Sequence, residues 1–375
     1  MNRLWIRVCT ALLIAMGMVF MMLTPKAEPA FSVQASAMAL IECESGKLIA
    51  GQNKDLRLPM ASTTKIMTAL IVLERSELSD IVEIPDEAVG TEGSSIYLRK
   101  GERLSVEDLL YGLMLASGND AAVALAVHAA GSVDGFVELM NDKAGEMGLK
   151  NTSFITPNGL HAERHLTTAY ELCLIAREAL KLDEFRTIVS SKYHRTATGD
   201  IDRTFKNKNS LLWSYEGAFG VKTGYTMAAG RCLVFGAERD GMTVVGAVLN
   251  CRQMFEEAAS LMDMAFEEYS RETIVPACTH VLDTYIKNGE EKLLEVYSKE
   301  SIITVMRKSE RKSFRTEAVL SEGLHAPIAK GDEVGILRVF DGGALIGSTA
   351  LIAGNSVSEP GYVYWWRLLT DLFAA

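Results

Sequence analysis

Three short patterns carry the chemistry that this sequence could perform. A serine hydroxyl attacks a carbonyl only when a base takes its proton, and a lysine is such a base when burial or a second cation lowers its pKa. Each pattern alone also fits a structural role: a helix cap, a turn or a surface strand residue. Together, in this order, they predict acyl transfer through a serine nucleophile. They are Ser62-Thr-Thr-Lys65, Ser117-Gly-Asn119 and Lys222-Thr-Gly224.

The elements predicted around the first pattern place its two reactive groups together. Apolar residues recur at three- and four-residue steps from Ser62 to Leu73, which predicts a buried amphipathic helix starting near Ala61. Ser62 and Lys65 then share one face, within reach of a hydrogen bond. Lys222 would supply the second cation that lowers the pKa of the base.

The other two patterns are predicted to line a substrate cleft. Ser117 and Asn119 fall in a break between two helical stretches, where a serine can relay a proton and an asparagine can bind a substrate amide. Lys222 and Thr223 fall on a strand and could receive a carboxylate. Gly224 leaves room for an extended substrate along the strand edge. This arrangement suits acyl transfer at the end of a peptide.

The pattern of elements predicts an α+β fold. A hairpin near residues 37–50 precedes several helices, including a capping box at Thr168 and Glu171. After Gly220 the runs 221–226, 231–238 and 243–249 are extended, and a helix follows over 254–269. A mostly antiparallel sheet with helices is therefore expected over residues 36–275, followed by a small all-β domain over 276–358.

Both ends of the chain carry features of export and membrane binding. Arg3 and Arg7 precede an apolar run from Val8 to Leu23 and small-residue cleavage patterns near Ala35, so residues 1–35 are expected to be a signal peptide rather than an uncleaved anchor. Residues 359–375 place aromatic and apolar side chains at helical spacing. This segment is too short and too polar to span a bilayer and is expected to be an interfacial amphipathic helix. A terminal helix packed on the β domain is the alternative.

Composition excludes other classes of function. The 375-residue chain has 38 Lys and Arg against 48 Asp and Glu, a net charge of -10 without a basic stripe, which argues against nucleic-acid binding. The five cysteines after the export segment are scattered and odd in number, so core thiols are expected. His161 and His165 lack an HExxH pattern and are expected to be a surface pair rather than a metal site.

The whole chain resembles the low-molecular-mass penicillin-binding proteins that act as D-alanyl-D-alanine carboxypeptidases. Serine enzymes of this kind carry a Ser-x-x-Lys, a Ser-x-Asn and a Lys-Thr-Gly in this order. The likeness extends to further segments of this chain, namely residues 91–98, 113–122, 151–154, 157–160 and 207–209. The implied fold is a β-lactamase/transpeptidase-like domain followed by the β domain.

The resemblance implies a role for each site residue. The nucleophile would be Ser62 and the general base Lys65, with Ser117 relaying a proton to the leaving group. Asn119 would bind a substrate amide and Thr223 the terminal carboxylate, while Lys222 would shape the electrostatics of the site. The oxyanion hole would be formed by the backbone N–H groups of Ser62 and of Tyr225, the residue after Gly224. Arg252 is a candidate second carboxylate ligand that no motif fixes.

The implied reaction needs no cofactor. An acyl-enzyme on Ser62 would form with release of D-alanine from a peptidoglycan pentapeptide, water would hydrolyse it, and penicillin would leave a slowly hydrolysed ester. The expected place is the outer face of the bacterial cytoplasmic membrane. A secreted β-lactamase, a non-catalytic wall-binding protein and an endopeptidase or transpeptidase are alternatives. The stretch between Ser117 and Lys222 has no Glu-x-x-x-Asn segment, which argues against a β-lactamase. The complete Ser/Lys/Ser/Asn/Lys set argues against a non-catalytic wall-binding protein.

Overall fold

The computed structural model describes residues 33–290, 292–310 and 313–362. The elements from β1 onwards belong to one compact unit. The helices are α1 Lys65–Arg75, α2 Val106–Tyr111, α3 Asn119–Ala130, α4 Val133–Glu146, α5 Ala169–Ala179, α6 Asp183–Ser190, α7 Leu211–Ser214 and α8 Met254–Glu268. The strands are β1 Ala35–Glu42, β2 Leu48–Gln52, β3 Leu58–Pro59, β4 Ile81–Glu83, β5 Arg103–Ser105, β6 Leu166–Thr167, β7 Tyr193–Arg195, β8 Thr204–Lys206, β9 Ala218–Thr226, β10 Gly230–Arg239, β11 Met242–Cys251, β12 Tyr269–Val275, β13 His280–Tyr285, β14 Leu293–Ser298, β15 Ile302–Arg307, β16 Arg315–Leu320, β17 Glu333–Asp341 and β18 Ala344–Ala353.

A five-stranded antiparallel sheet supports the catalytic half. Its strand order is β2-β1-β11-β10-β9, so β9 is an edge strand. The register runs from Ala35 opposite Cys251 through the β10–β11 pair to Tyr225 opposite Arg231. One edge of β9, which carries Lys222 to Tyr225, is therefore left without a strand neighbour in the described part of the chain.

Alternate strand residues bury the two faces of this sheet. Ala37, Ala39 and Ile41 belong to a large apolar core that also contains residues of α1, α3 and α5. Met38 and Leu40 are equally buried but point the other way, because successive strand side chains alternate. The amphipathic helix α8 packs on β10 and β11.

The nucleophile region departs from the expected single helix. A 3₁₀ turn at Ala61–Thr64 precedes α1, and its threonine hydroxyls close it: Thr63 Oγ1 donates to Met60 O at 2.6 Å and Thr64 Oγ1 to Ala61 O at 2.8 Å. Each hydroxyl donates to the backbone carbonyl three residues before it, a local side-chain-to-backbone hydrogen bond that Ser and Thr also form within helices. The next helical stretch ends in a π-helical turn, Gly112–Ala116, directly before Ser117.

The β-rich C-terminal half is confirmed. Strands β13-β14-β18-β17-β16 form a second antiparallel sheet, and β12 pairs with β15. Its own core runs from Val275 to Val357. The boundary proposed at residues 275 and 276 falls at the end of β12, whose partner β15 belongs to this half.

The two terminal predictions lie outside the described residues. These are the export segment, apart from its last residues, and the anchor helix from residue 363 onwards. In the described part of the chain, no single helix is long and apolar enough to cross a membrane, and α3 with α4 reaches that length and composition only when the pair is joined across an 83° bend.

Candidate active site

The Lys65 side chain is the centre of the site and is fully buried. Its Nζ donates to Asn119 Oδ1 and to the backbone carbonyl of Asn158, both at 2.6 Å, and lies 3.0 Å from Ser62 Oγ. The 3₁₀ turn Ala61–Thr64, which leads directly into α1, provides the spacing between Ser62 and Lys65. The structure therefore brings the proposed nucleophile and base together.

Asn119 is engaged by its neighbours rather than left open. Its Oδ1 accepts from Lys65, and its Nδ2 donates to the carbonyl of Glu92 at 2.5 Å, which fixes the orientation of the amide. The backbone N–H of Asn119 also donates to Ser94 O at 2.7 Å. In this structure Asn119 ties the base to the loop at residues 91–98.

Asp120 holds the same loop, and no motif in the sequence pointed to it. Its buried carboxylate accepts from the backbone N–H groups of Ile96 and Leu98 and from the hydroxyl of Ser95. The only signal in the sequence is an acidic residue in the first turn of α3, which the helix dipole favours on its own. That signal does not reveal a contact with a loop that lies well before α3 in the chain.

Ser117 lies at the junction that carries the second pattern. It has a left-handed backbone conformation, with φ 67°, and it is buried at the wall of the cleft. This left-handed residue ends the π-helical turn before α3 begins, and its side chain is among those that line the cleft. Ser117 therefore reaches the same cleft as Ser62.

The third pattern lies on β9 and faces the nucleophile. Lys222 is buried, and its Nζ donates to Thr223 O at 2.9 Å. A Cβ atom on Gly224 would lie 3.1 Å from the backbone N of Ser62 and 3.2 Å from Met60 O. Gly224 thus makes room for the nucleophile turn, and not only for a substrate as predicted.

A cleft of about 450 Å³ opens between these elements. Its size is within the range of small-ligand sites. The two charged side chains on its wall, Lys208 and Arg231, are both cationic. The lining residues are Ser62, Ser94, Ser117, Lys208, Thr223, Gly224, Tyr225, Arg231, Met254 and Phe255.

The electrostatics favour a neutral base. Burial and then the charges of Lys222 and Lys208 hold the pKa of Lys65 well below its usual range. Burial and the charge of Lys208 lower the pKa of Lys222 to about 7. Burial also lowers the pKa of Lys208, whose Nζ donates to Ser94 Oγ at 3.2 Å. The lysines around Ser62 thus favour the neutral form of the base.

Comparison with known proteins decides the family. Residues 23–253 match the D-alanyl-D-alanine carboxypeptidase family model, and residues 269–359 match that of the penicillin-binding protein 5 C-terminal domain. The chain belongs to the D-alanyl-D-alanine carboxypeptidase family. The family resemblance and the α+β fold with a second all-β domain are therefore confirmed.

Named members of the family cover most of the chain. The D-alanyl-D-alanine carboxypeptidase DacF of Bacillus subtilis (strain 168) is 33% identical over 341 residues, 88% of this chain and 87% of DacF. DacC of Escherichia coli (strain K12) is 33% identical over 348 residues, 88% of this chain and 86% of DacC. The crystal structure of penicillin binding protein 5 from Haemophilus influenzae aligns with TM-score 0.71 and 28% identity, covering 90% of this chain and all of that one.

Two predicted site residues of this family member lie at the edge of the site. Tyr225 is 65% exposed and lines the cleft. Arg252 is exposed, follows β11, and is not among the lining residues, although Met254 is. Its role as a carboxylate ligand stays a prediction. Arg231 and Lys208 line the wall instead, and no motif in the sequence had given either of them a role.

His165 is buried, so the prediction of a surface histidine pair is wrong for this residue; His161 is exposed. The Nδ1 of His165 accepts from the backbone N–H of Ile155 at 2.9 Å, so its Nε2 carries the proton and donates to Thr64 Oγ1 at 2.7 Å. Thr64 in turn holds Ala61 O. A neutral histidine thus supports the turn that carries Ser62.

The cysteines differ in part from the expected core thiols. Cys173, Cys232 and Cys251 are buried, Cys43 is partly buried and Cys278 is exposed; all five are free. Burial raises the pKa of Cys232 to about 11, which leaves this thiol unreactive near neutral pH. None of the cysteines lines the cleft in the described structure.

Replacing Lys208 by glutamine should slow acylation at mildly acidic pH. Loss of this positive charge raises the pKa of Lys65 and of Lys222, so less Lys65 is neutral at a given pH. The acidic limb of the pH dependence of acylation by benzylpenicillin should move to higher pH, with several-fold slower acylation near about pH 6. Lys150→Gln, at an exposed lysine, is the control. A limb that stays in place contradicts the coupling.

His165→Gln should flatten the loss of stability in acid. Burial lowers the pKa of His165 from 6.5 to about 4, so its neutral form contributes fully above about pH 6.5 and its contribution is lost as the pH falls towards about 4. The contribution is on the order of 3 kcal/mol. Urea unfolding at several pH values measures it. His325→Gln, at an exposed histidine, is the control and should keep the wild-type slope. An unchanged slope in His165→Gln would show that protonation occurs elsewhere.

Proposed function

We propose that the protein is a serine-type D-alanyl-D-alanine carboxypeptidase that removes the terminal D-alanine from peptidoglycan pentapeptides through an acyl-enzyme on Ser62. The observation that carries this proposal is the set of contacts at Lys65 Nζ. A neutral amine has two N–H groups and one lone pair. The carbonyl oxygens of Asn119 and Asn158, each at 2.6 Å, take the two N–H groups.

The remaining lone pair then faces Ser62. At 3.0 Å from Nζ, the Ser62 hydroxyl is in position to give up its proton as it attacks a carbonyl. The fixed acceptors orient the amine, and burial with two neighbouring cations lowers its pKa and so favours its neutral form. Lys65 therefore serves as the general base of acylation.

The edge of β9 holds the substrate. An extended peptide end can pair along the free edge of β9, with its reacting carbonyl between the backbone N–H groups of Ser62 and Tyr225 as the oxyanion hole. Thr223 and the cations at this end of the cleft receive the terminal carboxylate. Ser117, on the facing wall, passes the proton to the departing D-alanine.

The second half of the reaction is hydrolysis of the ester. Water attacks the acyl-enzyme, the Ser62 oxygen leaves, and the shortened peptide departs with a new carboxylate. A β-lactam presents the same carbonyl and carboxylate but keeps its leaving group tethered, so the ester on Ser62 persists. β-Lactam antibiotics are therefore acylating inhibitors, and the chemistry needs no cofactor.

The membrane placement of the enzyme is a separate proposal. The basic and apolar start of the chain supports export, and the aromatic residues after Gly361 support binding of the C-terminal segment to the headgroup region of the outer face of the cytoplasmic membrane. The β-rich half would then hold the catalytic half away from the lipid.

Mass spectrometry tests the catalytic proposal directly. The purified protein is incubated with benzylpenicillin and, separately, with diacetyl-Lys-D-Ala-D-Ala. A penicilloyl adduct on Ser62 and release of one D-alanine are expected, and both should be absent from Ser62→Ala. Rapid turnover of penicillin with an untouched peptide would indicate a β-lactamase, and no adduct with either compound would indicate a binding protein.

Removal of residues 361–375 tests the membrane proposal. The truncated protein should move from the membrane fraction to the soluble fraction, because it loses the apolar face of the segment. Replacing Trp365 and Trp366 by serine should weaken membrane binding in the same direction. If the truncated protein stays membrane-bound although its export segment has been cleaved, the anchor assignment is wrong.

A further inference from the structure

The end of the β13–β14 hairpin exposes two large side chains to solvent. Tyr285 and Leu293 are directly opposite each other in the register, where the two strands meet the loop at residues 286–292. They are 79% and 43% exposed. The N–H of Ile286 donates to Lys292 O at 2.9 Å and closes the loop. Tyr285, Leu293 and the loop between them form the hairpin tip.

The last described residues of the chain run towards the hairpin tip. β18 pairs with β14, and beyond the end of β18 the Asn355 side chain donates to Leu293 O at 3.0 Å. Further along, Ser358 O accepts from the N–H of Glu290, a loop residue, at 2.8 Å. The chain thus follows β14 up to the loop. Residues 361–375, for which membrane binding is proposed, therefore begin beside the hairpin tip.

The opposite end of β18 faces the catalytic half. Leu345, near the start of β18, lines a small space together with Ser45 and Lys47 of the β1–β2 turn. The Nζ of Lys47 also donates to Val305 O at 2.5 Å. β18 has 10 residues, so its two ends are about 30 Å apart at the usual rise of a strand. The hairpin tip therefore points away from the catalytic half.

Acidic side chains limit the apolar surface to the hairpin tip. Asp283 and Glu295 are exposed and opposite each other, two positions further from the loop than Tyr285 and Leu293. Positions on the same face of a strand are about 7 Å apart. Deeper insertion of the tip into an apolar phase would bring two carboxylates with it, so only Tyr285 and Leu293 suit an apolar environment.

The chemistry of the hairpin tip suits a membrane surface. Tyrosine is enriched at membrane–water interfaces, because its ring is apolar and its hydroxyl is polar. Tyr362, at the start of the C-terminal segment, is 76% exposed. These few side chains expose far less than the roughly 800 Å² per partner that a stable protein interface buries. The loop at residues 286–292 carries two lysines and two glutamates, so apolar contact rather than net charge would drive its binding.

We propose that the hairpin tip makes a second contact with the membrane surface, beside the C-terminal segment, with Tyr285 and Leu293 at the boundary between headgroups and acyl chains. This inference rests on the proposed membrane binding of residues 361–375, which brings the tip to the lipid. The segment holds the tip at high effective concentration, so even a small apolar contact adds to the affinity. Two adjacent contacts also fix the direction of β18, which leads from the membrane to the catalytic half.

Binding to lipid vesicles tests this contact. The chain, with its export segment cleaved and residues 361–375 retained, is mixed with phosphatidylcholine vesicles, and the bound fraction is measured by co-sedimentation. Tyr285→Ser and Leu293→Ser should each weaken binding about threefold, and together about tenfold, because each removes apolar surface from the contact. Leu345→Ser, at a leucine that is 56% exposed at the other end of β18, is the matched control and should bind as the wild type.

Hydrogen exchange locates the contact in the wild-type protein. The amides of residues 286–292 should exchange more slowly when vesicles are added, whereas those of the β17–β18 turn should exchange at the same rate. Acylation by benzylpenicillin should be equal in all variants and reports that each is folded.

The outcomes separate this inference from the membrane proposal. Equal binding by the double variant, or exchange in the loop that vesicles do not change, overturns the hairpin contact and leaves the C-terminal segment as the anchor. That result would also be expected if the C-terminal segment itself covered the tip. A wild-type protein that does not bind vesicles overturns both the anchor and the hairpin contact.

Discussion

The site depends on one buried amine. Lys65 has no access to solvent, and an ammonium group in that position would lose its hydration. Three oxygen atoms surround Nζ, and two of them belong to groups that cannot accept a proton. Only Ser62 can exchange a proton with Lys65. Burial thus favours the neutral lysine, and the two carbonyl acceptors direct its lone pair to the nucleophile.

The chain that encloses this amine is forced into tight conformations. Ala61 has φ 49°, a left-handed value that costs a residue with a side chain about 1 kcal/mol or more. A Cβ atom on Gly159 would lie 2.0 Å from Ala61 O, so the loop that supplies the Asn158 carbonyl packs directly under the nucleophile turn. Thr64 and His165 hold this turn through side-chain hydrogen bonds. The strained turn and its neighbours therefore hold Ser62 in place before substrate binds.

Local patterns in the sequence predicted the parts of the site that depend on local spacing. Ser62 and Lys65 are one turn apart, as the Ser-x-x-Lys spacing predicts, and their side chains meet at 3.0 Å. Local sequence patterns do not predict the hydrogen bonds that a side chain makes with residues remote in the sequence. The Thr168 hydroxyl accepts from Glu171 N as predicted, but the Glu171 carboxylate turns to the N–H of Asn151 instead of completing a capping box. The burial of His165 has the same origin, because its partners at residues 64 and 155 cannot be identified from its neighbours.

The cationic character of the cleft follows from the same constraint. A neutral Lys65 needs a positive environment that does not titrate with it, yet a second ammonium at full burial would be equally costly. The cations lie at different depths in the cleft. Lys222 is buried and its pKa is lowered to about 7, whereas Lys208 and Arg231 are on the solvent side of the cleft wall. The outer cations are the less costly ones to keep charged, since water still solvates them. Both can attract an anionic peptide end, and Lys208 also lowers the pKa of Lys65 and of Lys222. Substrate recognition and activation of the base therefore share Lys208. When a carboxylate binds Lys208, the effect of its charge on Lys65 is partly cancelled. Lys65 then gains proton affinity when Ser62 must give up its proton.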